Sequence, residues 1–353
     1  MFKFISVLLL LLTNSALADN GGINISAAAD ILFEQGINKS SSAKENLEMR
    51  SAELTLYSPI DHNFNGVISL AAHDHEGENV FEVHELYIEN TSLIPRSTFK
   101  VGKFFLGIGR LNRFHRHDWL FTSTPKVNEE FFAEEAAFDS GAEYNYLLPT
   151  ETVLNLTLGV TVGDDFNHEH DHDEDAAGHE DEKEKAKYPT HYLRFSHFKE
   201  FSTSKGMETG FNFLRKKNAH GEEQTFLGLD YILKNREGKT NTFILQSEVW
   251  FRESKEAGQK SEKLGGYVFN EYSVFESSSI GVRLDTLKDL TTGSDLIDYG
   301  ITGQYTFNSS EFAKVRASIS HSFSKENGTT TNKDSKAMLQ LVFILGSHPA
   351  HVF

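Results

Sequence analysis

Hydrophobic and polar residues alternate with a period of two along most of the 353-residue chain. From Leu154 to Val162, every second residue is apolar, and the residues between are Asn, Thr or Gly. The same pattern returns in 297–307 and in 314–320. Such alternation gives a strand one apolar and one polar face, which is typical of half-buried β-strands. The pattern therefore predicts an all-β protein.

The alternating segments predict about sixteen strands, an even number that suits a closed transmembrane antiparallel β-barrel. Most are long enough to cross the hydrocarbon region of a bilayer, which takes about 9–11 tilted residues. The predicted strands are 23–33, 47–57, 65–73, 80–90, 98–106, 140–148, 152–163, 189–200, 206–216, 223–234, 240–252, 262–275, 278–285, 296–307, 311–324 and 336–346.

The connections between these strands alternate between short and long. Segments such as 91–97 and 149–151 are short, whereas the next connection in each case is long and rich in polar residues. Outer-membrane barrels show this alternation, with short periplasmic turns and long extracellular loops. The predicted long connections are 34–46, 74–79, 107–139, 163–188, 217–222, 253–261, 286–295 and 325–335.

The N-terminus has the features of a secretory signal peptide. Lys3 precedes an apolar run over 4–12, and Ala16-Leu17-Ala18 has the small-x-small pattern of a cleavage site. We therefore expect 1–18 to be a signal peptide and 19–353 to be a single barrel domain. The expected location is the outer membrane of a Gram-negative-type bacterium.

Composition and charge exclude several classes of protein. The chain has 51 acidic and 34 basic residues, a formal net charge of −17, which disfavours a nucleic-acid binder. It has no cysteine, so His, Asp and Glu are the strong metal ligands available. It also has no nucleophile elbow and no zinc-protease helix motif, so we do not expect an enzyme.

One predicted extracellular loop, 164–187, is dense in histidine and carboxylate residues. Imidazoles beside carboxylates suit borderline divalent ions such as Zn²⁺, Cu²⁺ or Ni²⁺, whereas carboxylates alone would also attract Mg²⁺ or Ca²⁺. A solvated acidic loop is the alternative interpretation. The predicted metal ligands of this loop are His168, His170, His172, His179, Asp171 and Asp173.

Four further histidines lie in or beside other predicted extracellular loops. They form two close pairs, His73 with His75 and His115 with His117. Each pair alone is weak support for a metal site, because surface histidines are common. Their placement on one side of the membrane predicts a cation-collecting mouth to which all four contribute.

The longest connection between strands, 107–139, exceeds the length of a simple hairpin loop, and loops of this length are usually functional or fold back on the protein. We expect it to fold into the lumen and constrict the pore, with opposed charges setting the field there. A surface cap with internal ion pairs is the alternative. The predicted constriction residues are Arg110, Arg113, Arg116, Glu129 and Glu130.

Six segments together carry a family resemblance: Ala52–Leu56 with Ser58-Pro59, Glu82–Tyr87, Val101–Phe104 leading into Gly107–Asn112, His115–Trp119, the His/Asp loop, and Leu345–His351. They resemble the 16-stranded phosphate-selective-porin-like barrels, and within these the proteins labelled zinc-regulated outer-membrane receptors. The resemblance implies an outer-membrane barrel tied to uptake of zinc or a related metal. Members are often called TonB-dependent receptors, but such receptors need a plug domain before a 22-stranded barrel, for which this chain is too short.

The function expected from the sequence is a porin-like channel for divalent metal, most simply zinc, collected by the histidine and acidic loops. A phosphate-selective, anion-selective or general porin is one alternative, and a non-conducting surface metal receptor is another. We expect no permanently bound cofactor, only transported or loosely bound Zn²⁺ or a similar ion. The expected partners are outer-membrane lipid and divalent metal ions, with a homotrimer left open as the assembly.

Overall fold

The computed structural model describes residues 22–38, 45–75, 78–132, 135–163, 188–217, 221–238, 240–256 and 258–347. The predicted signal peptide and the whole of the predicted metal-binding loop 164–187 lie outside these residues. So does the C-terminal Phe353. Both sequence predictions therefore stay predictions.

Within the described residues, sixteen antiparallel strands form a closed barrel in which β1 pairs with β16 and every other strand pairs with its neighbours along the chain. This confirms the predicted fold class. The strands are β1 (Asn24–Gly36), β2 (Asn46–Pro59), β3 (Phe64–His75), β4 (Glu78–Asn90), β5 (Ser97–Phe105), β6 (Phe138–Leu147), β7 (Val153–Thr161), β8 (Thr190–Ser202), β9 (Lys205–Lys217), β10 (Glu223–Glu237), β11 (Thr240–Glu256), β12 (Gln259–Phe275), β13 (Ser278–Asp289), β14 (Leu296–Ser310), β15 (Ala313–Glu326) and β16 (Thr329–Gly346).

The apolar face of each strand points outward and the polar face points into the barrel. In β13, Ile280 and Leu284 are about half exposed, while Arg283 and Asp285 between and beside them are buried. An exposed apolar belt on a closed barrel is the surface that contacts lipid in an outer membrane. The polar residues inside are covered by the barrel wall and by the long connection between β5 and β6.

Three of the predicted long loops are wrong. The strands continue through most of 253–261 and 325–335, so that β11 ends at Glu256, β12 begins at Gln259, and β15 and β16 are joined by Asn327 and Gly328. Both residues of the latter turn have positive φ, 50° and 74°, as a tight hairpin turn requires. These polar ends contact water on both faces, so they can continue the backbone ladder without an apolar face. The predicted loop 74–79 is likewise mostly strand.

The connection 106–137 joins β5 to β6 and contains the helical turns Leu111–Arg113 and Arg116–Asp118 and a short helix, α1 (Lys126–Phe132). It lies inside the barrel. Its Phe121 and Phe131 are buried with Phe226 and Trp250 of the wall in one apolar cluster. We call this connection the lumen loop. No helix among the described residues is long and apolar enough to span a bilayer.

Candidate functional site in the barrel lumen

One side of the lumen is filled by packing between the lumen loop and strands β8–β12. The ring of Phe132 lies 4.7 Å from that of Trp250, and Phe121 lies 5.5 Å from Tyr267 and 5.2 Å from Phe269, measured between centroids. The apolar contacts fix the loop to that wall. Any passage through the barrel must therefore follow the opposite side.

The lumen loop enters this packing through a turn at Gly109. The residue has φ of +60°, its N–H donates to Asn212 Oδ1 at 2.8 Å, and the next turn is held by Leu111 N–H donating to Glu248 Oε1 at 2.7 Å. A Cβ at Gly109 would lie 2.7 Å from Glu248 Oε2. The position therefore requires glycine both for its backbone conformation and for the space beside it.

Replacing Gly109 with alanine is expected to lower the free energy of unfolding by more than the roughly 1–2 kcal/mol that left-handed backbone costs an L-residue. The matched control is Gly238→Ala, because Gly238 has the same φ of +60° with nothing within 4 Å of its Cβ position. Urea unfolding in detergent micelles measures both. Equal losses in the two variants would show that the space beside Gly109 is not limiting.

Three arginines of the barrel wall hold the other side of the lumen loop by its backbone. Arg50 Nη1 donates to the Thr122 carbonyl at 2.5 Å, Arg316 Nη2 donates to that of Trp119 at 2.5 Å, and Arg283 donates to that of Ser123. Each guanidinium also donates to a wall side chain: Arg50 to Asp30, Arg283 to Asp285 and Arg316 to Gln340. We call these three residues the arginine row.

The predicted constriction arginines are distributed over two parts of the lumen. Arg113 forms an ion pair with Glu208 of β9 at 2.8 Å, and Arg110 lies 4.0 Å from the same carboxylate. Arg116 instead lies 3.9 Å from Glu135, within the lumen loop. Arg110 and Arg113 thus contact the barrel wall. The charge pattern of the loop alone does not predict these contacts.

The two predicted constriction glutamates are also separated from each other. Glu130 pairs with Arg252 at 2.8 Å and with Lys263 at 2.5 Å, both on the barrel wall. Glu129 lines a cavity at the extracellular end. Glu129 thus shares its cavity with Arg116, whereas Glu130 faces the barrel wall.

Two cavities approach the lumen loop from opposite ends. The extracellular cavity, about 530 Å³, is lined by Arg50, Arg116 and Glu129 among others. The periplasmic cavity, about 850 Å³, is lined by residues that include His115 and His117. The lumen loop lies between the two cavities and forms the narrow part of the barrel.

Four imidazoles lie in a row beside this narrow part, on the β2–β4 side. The ring centroids of His73 and His84 are 4.9 Å apart, those of His84 and His115 are 6.2 Å apart, and those of His115 and His117 are 5.5 Å apart, with the rings stacked. We call this row the histidine column. It runs from the extracellular part of β3 to the periplasmic cavity.

Carboxylates contact the histidines along the whole column. At its lower end, beside the periplasmic cavity, Glu53 lies 2.6 Å from His115 Nδ1 and 3.1 Å from His117 Nδ1, while Glu85 lies 3.0 Å from His115 Nε2. At its upper end, Glu82 and Glu135 contact His73 and His84. Imidazoles and carboxylates at such distances are the donor set of a borderline divalent metal site.

The lower end of the column is also strongly charged. Burial lowers the pKa of His115, but the carboxylates of Glu53 and Glu85 outweigh this effect and raise the pKa well above its ordinary value. His115 therefore lies between two carboxylates that attract positive charge, and this end of the column lines the periplasmic cavity.

The structure brings together three of the predicted metal residues, His73, His115 and His117, but inside the lumen. The expectation that they lie at the extracellular mouth is wrong, because the lumen loop folds inward and buries His117 to 3% exposure. The side chain of the fourth, His75, is outside the described residues. So are the six ligands predicted in the tract, namely His168, His170, His172, His179, Asp171 and Asp173.

Sequence reasoning missed the partner residues of the column. His84, Glu82 and Glu85 lie in β4, and Glu53 lies in β2, all in segments that carry the family resemblance. Part of the signal was available, because Val80 pairs with His73, and strand alternation then puts Glu82 and His84 on the same inward face. The close approach of His84 to His73 could not be read from this register, since His84 lies at a β-bulge opposite Leu70 and Ser69. Glu135 could not be found in this way, since it depends on the path of the lumen loop.

Comparison of the sequence with known proteins finds a distant relative but no matching family. No protein-family model matches the chain. An uncharacterised protein of Aquifex aeolicus (strain VF5) is 25% identical over 348 residues, covering 88% of this chain and 71% of that protein.

Several solved structures share the fold. The trimer form of OmpT, an outer membrane protein of Vibrio cholerae, has a TM-score of 0.63 at 9% identity, covering 93% of this chain and 100% of that one. The outer membrane channel DcaP of Acinetobacter baumannii has a TM-score of 0.61 at 10% identity, with coverages of 92% and 98%. The anion-selective porin from Comamonas acidovorans also scores 0.61, at 9% identity, with coverages of 93% and 100%. With its apolar outer belt and these structural relatives, the chain is an outer-membrane β-barrel with the fold of the porins.

Proposed function

We propose that this protein is a porin-like channel that admits divalent metal ions, with zinc as the preferred ion. The observation that carries the proposal is the histidine column with its carboxylates, which flanks the narrow part of the lumen. Nitrogen and oxygen donors together favour Zn²⁺ and its neighbours over Mg²⁺ and Ca²⁺. The motif resemblance to zinc-regulated receptors supports the same choice, as does the histidine-rich tract 164–187 as a collector.

A phosphate-selective, anion-selective or general porin is the alternative, and the arginine row is the feature that favours it. Each guanidinium of the row, however, already donates to side chains of the wall and to loop carbonyls. Arginines held in this way position the loop more than they attract an anion. The acidic net charge of −17 also favours cations.

The proposal predicts cation-selective currents that micromolar Zn²⁺ reduces, because an ion held in the column obstructs monovalent ions. The measurement is single-channel conductance and reversal potential of the refolded protein in a planar bilayer under a salt gradient. Replacing both carboxylates at the lower end, Glu53→Gln with Glu85→Gln, is expected to weaken both the cation selectivity and the Zn²⁺ effect.

The matched control is Glu89→Gln, which removes one carboxylate from the periplasmic cavity but not from the column. It should retain the Zn²⁺ effect. Anion selectivity indifferent to Zn²⁺ would instead identify an anion porin. Folded protein without conductance would identify a surface metal receptor.

A further inference from the structure

Three segments of the chain meet at the upper end of the histidine column. β3 provides His73, β4 provides Glu82 and His84, and the lumen loop provides Glu135. One donor atom from each of these four residues lies within 4.8 Å of all the others. Residues so distant in sequence converge here because the lumen loop returns to the wall just before β6.

The distances between these donor atoms suit tetrahedral coordination. His73 Nε2 lies 2.9 Å from His84 Nε2 and 3.4 Å from Glu82 Oε1, while His84 Nε2 lies 3.1 Å from Glu82 Oε1 and 3.5 Å from Glu135 Oε2. Ligands about 2.0–2.1 Å from a tetrahedral Zn²⁺ are about 3.3 Å from each other. The two remaining pairs, Glu135 with His73 and with Glu82, lie within 4.8 Å, so a shift of the Glu135 side chain would complete the set around an ion.

The imidazole of His73 is already oriented for this role. His73 Nδ1 donates to the Arg50 carbonyl oxygen at 3.0 Å, which leaves the lone pair on Nε2, the atom that faces His84. Such outer hydrogen bonds fix the tautomer and the ring orientation of metal-binding histidines. His84 is 2% exposed and contacts the rings of Phe105 and Phe138. The apolar contacts limit its rotation and reduce water access.

An approach from solvent is nevertheless present on the carboxylate side. The side chain of Glu82 is 35% exposed and that of Glu135 is 23% exposed. The two acidic groups can therefore meet a hydrated cation first, and the buried imidazoles complete its coordination. Two nitrogen donors in a set of four disfavour Mg²⁺ and Ca²⁺, which prefer oxygen ligands.

We propose that His73, Glu82, His84 and Glu135 form a binding site for one borderline divalent metal ion, such as Zn²⁺ or Co²⁺, and that the bound ion cross-links the lumen loop to β3 and β4. This inference rests on the proposed function and names one site, at the extracellular end of the column, at which the transported class of ion binds. Opposite walls would then hold the loop by different means, since aromatic packing fixes it to β8–β12.

The test is titration of the full-length protein in detergent with Co²⁺, whose visible absorption distinguishes tetrahedral from octahedral coordination. The histidine-rich tract would also bind Co²⁺, so every protein in the series carries His168→Gln, His170→Gln, His172→Gln and His179→Gln. In this background we expect one Co²⁺ bound with a tetrahedral spectrum. Glu135→Gln and Glu82→Gln are each expected to weaken binding by at least about tenfold.

The matched control is His321→Gln, which removes an imidazole from the extracellular cavity, where it contacts Ser335, away from the four ligands. It should leave the Co²⁺ affinity unchanged. Far-UV circular dichroism and the heat-dependent gel mobility of the barrel identify variants that do not fold. Glu82 and Glu135 are chosen because both side chains are partly exposed, and because glutamine keeps a carbonyl oxygen that can accept a hydrogen bond from His84.

An octahedral spectrum, or a Co²⁺ affinity that neither glutamate variant alters, would overturn the inference. The conductance measurement separates this outcome from failure of the proposed function. A tetrahedral site in a channel whose current ignores Zn²⁺ would retain the inference and reject metal transport. A current that responds to Zn²⁺ in a protein without the tetrahedral site would support metal transport and reject the inference.

Discussion

Replacing Arg194 with methionine is expected to destabilise the barrel by about 3–5 kcal/mol, the usual result of removing one partner of a buried ion pair. Arg194 is 1% exposed and its Nη2 donates to Glu208 Oε1 and Asp230 Oδ1, both at 2.7 Å. Without the guanidinium, Asp230 keeps the amide of Asn212 as a donor but loses the charge that balances it. Methionine retains most of the side-chain volume, so the change in stability reports chiefly on the charge.

The control for this prediction lies in the neighbouring strand. Arg215 of β9 forms an ion pair with Glu223 at 2.5 Å, but its side chain is 57% exposed. Arg215→Met is therefore expected to cost less than about 1 kcal/mol. Urea unfolding can be followed by fluorescence, because both tryptophans of the chain, Trp119 and Trp250, are buried in the lumen. Equal urea midpoints for the two variants would contradict the prediction.

Removing the arginine row is expected to increase single-channel conductance several-fold. The variant Arg50→Met with Arg283→Met and Arg316→Met deletes the donors to the carbonyls of 119, 122 and 123 and retains the apolar stems. Without those hydrogen bonds, the lumen loop loses the bonds that hold its 119–123 segment to β2, β13 and β15. A 16-stranded barrel leaves an aqueous channel when its lumen is not filled.

Planar-bilayer recordings measure this effect. The control is Arg215→Met with Arg236→Met, which removes two exposed arginines from β9 and β10 and should leave the conductance unchanged. If the triple variant folds and conducts like the unmodified protein, the arginine row does not hold the loop across the passage.

The barrel can be predicted from the sequence because successive residues of a strand face lipid and lumen in turn, so apolar and polar side chains alternate. This alternation gave the number of strands and most of their bounds. It failed at the extracellular ends of β11, β12, β15 and β16. Both faces of the strands contact water there, so the backbone pairing continues beyond the last residue of the apolar pattern. Polar composition there resembles that of a loop although the backbone is a strand.

The candidate site was only partly predictable for a different reason. His73 is placed by a hairpin register, which the sequence indicates, whereas His115 and His117 are placed by the path of the lumen loop. That path depends on side-chain packing against β8–β12, such as Phe132 on Trp250, and on donors from distant strands. No local pattern encodes contacts of this range, so Glu135 and its role in the column could not be foreseen.

The pairing of β1 with β16 has a consequence for biogenesis. The two strands come from opposite ends of the chain, and the register joins Ser26 with Gly346. Until the final strand is present, both edges of the sheet carry backbone groups without partners, and lipid offers no water to satisfy them. Membrane insertion must therefore wait for complete synthesis, and the lumen loop must enter the barrel before or during closure of this last seam.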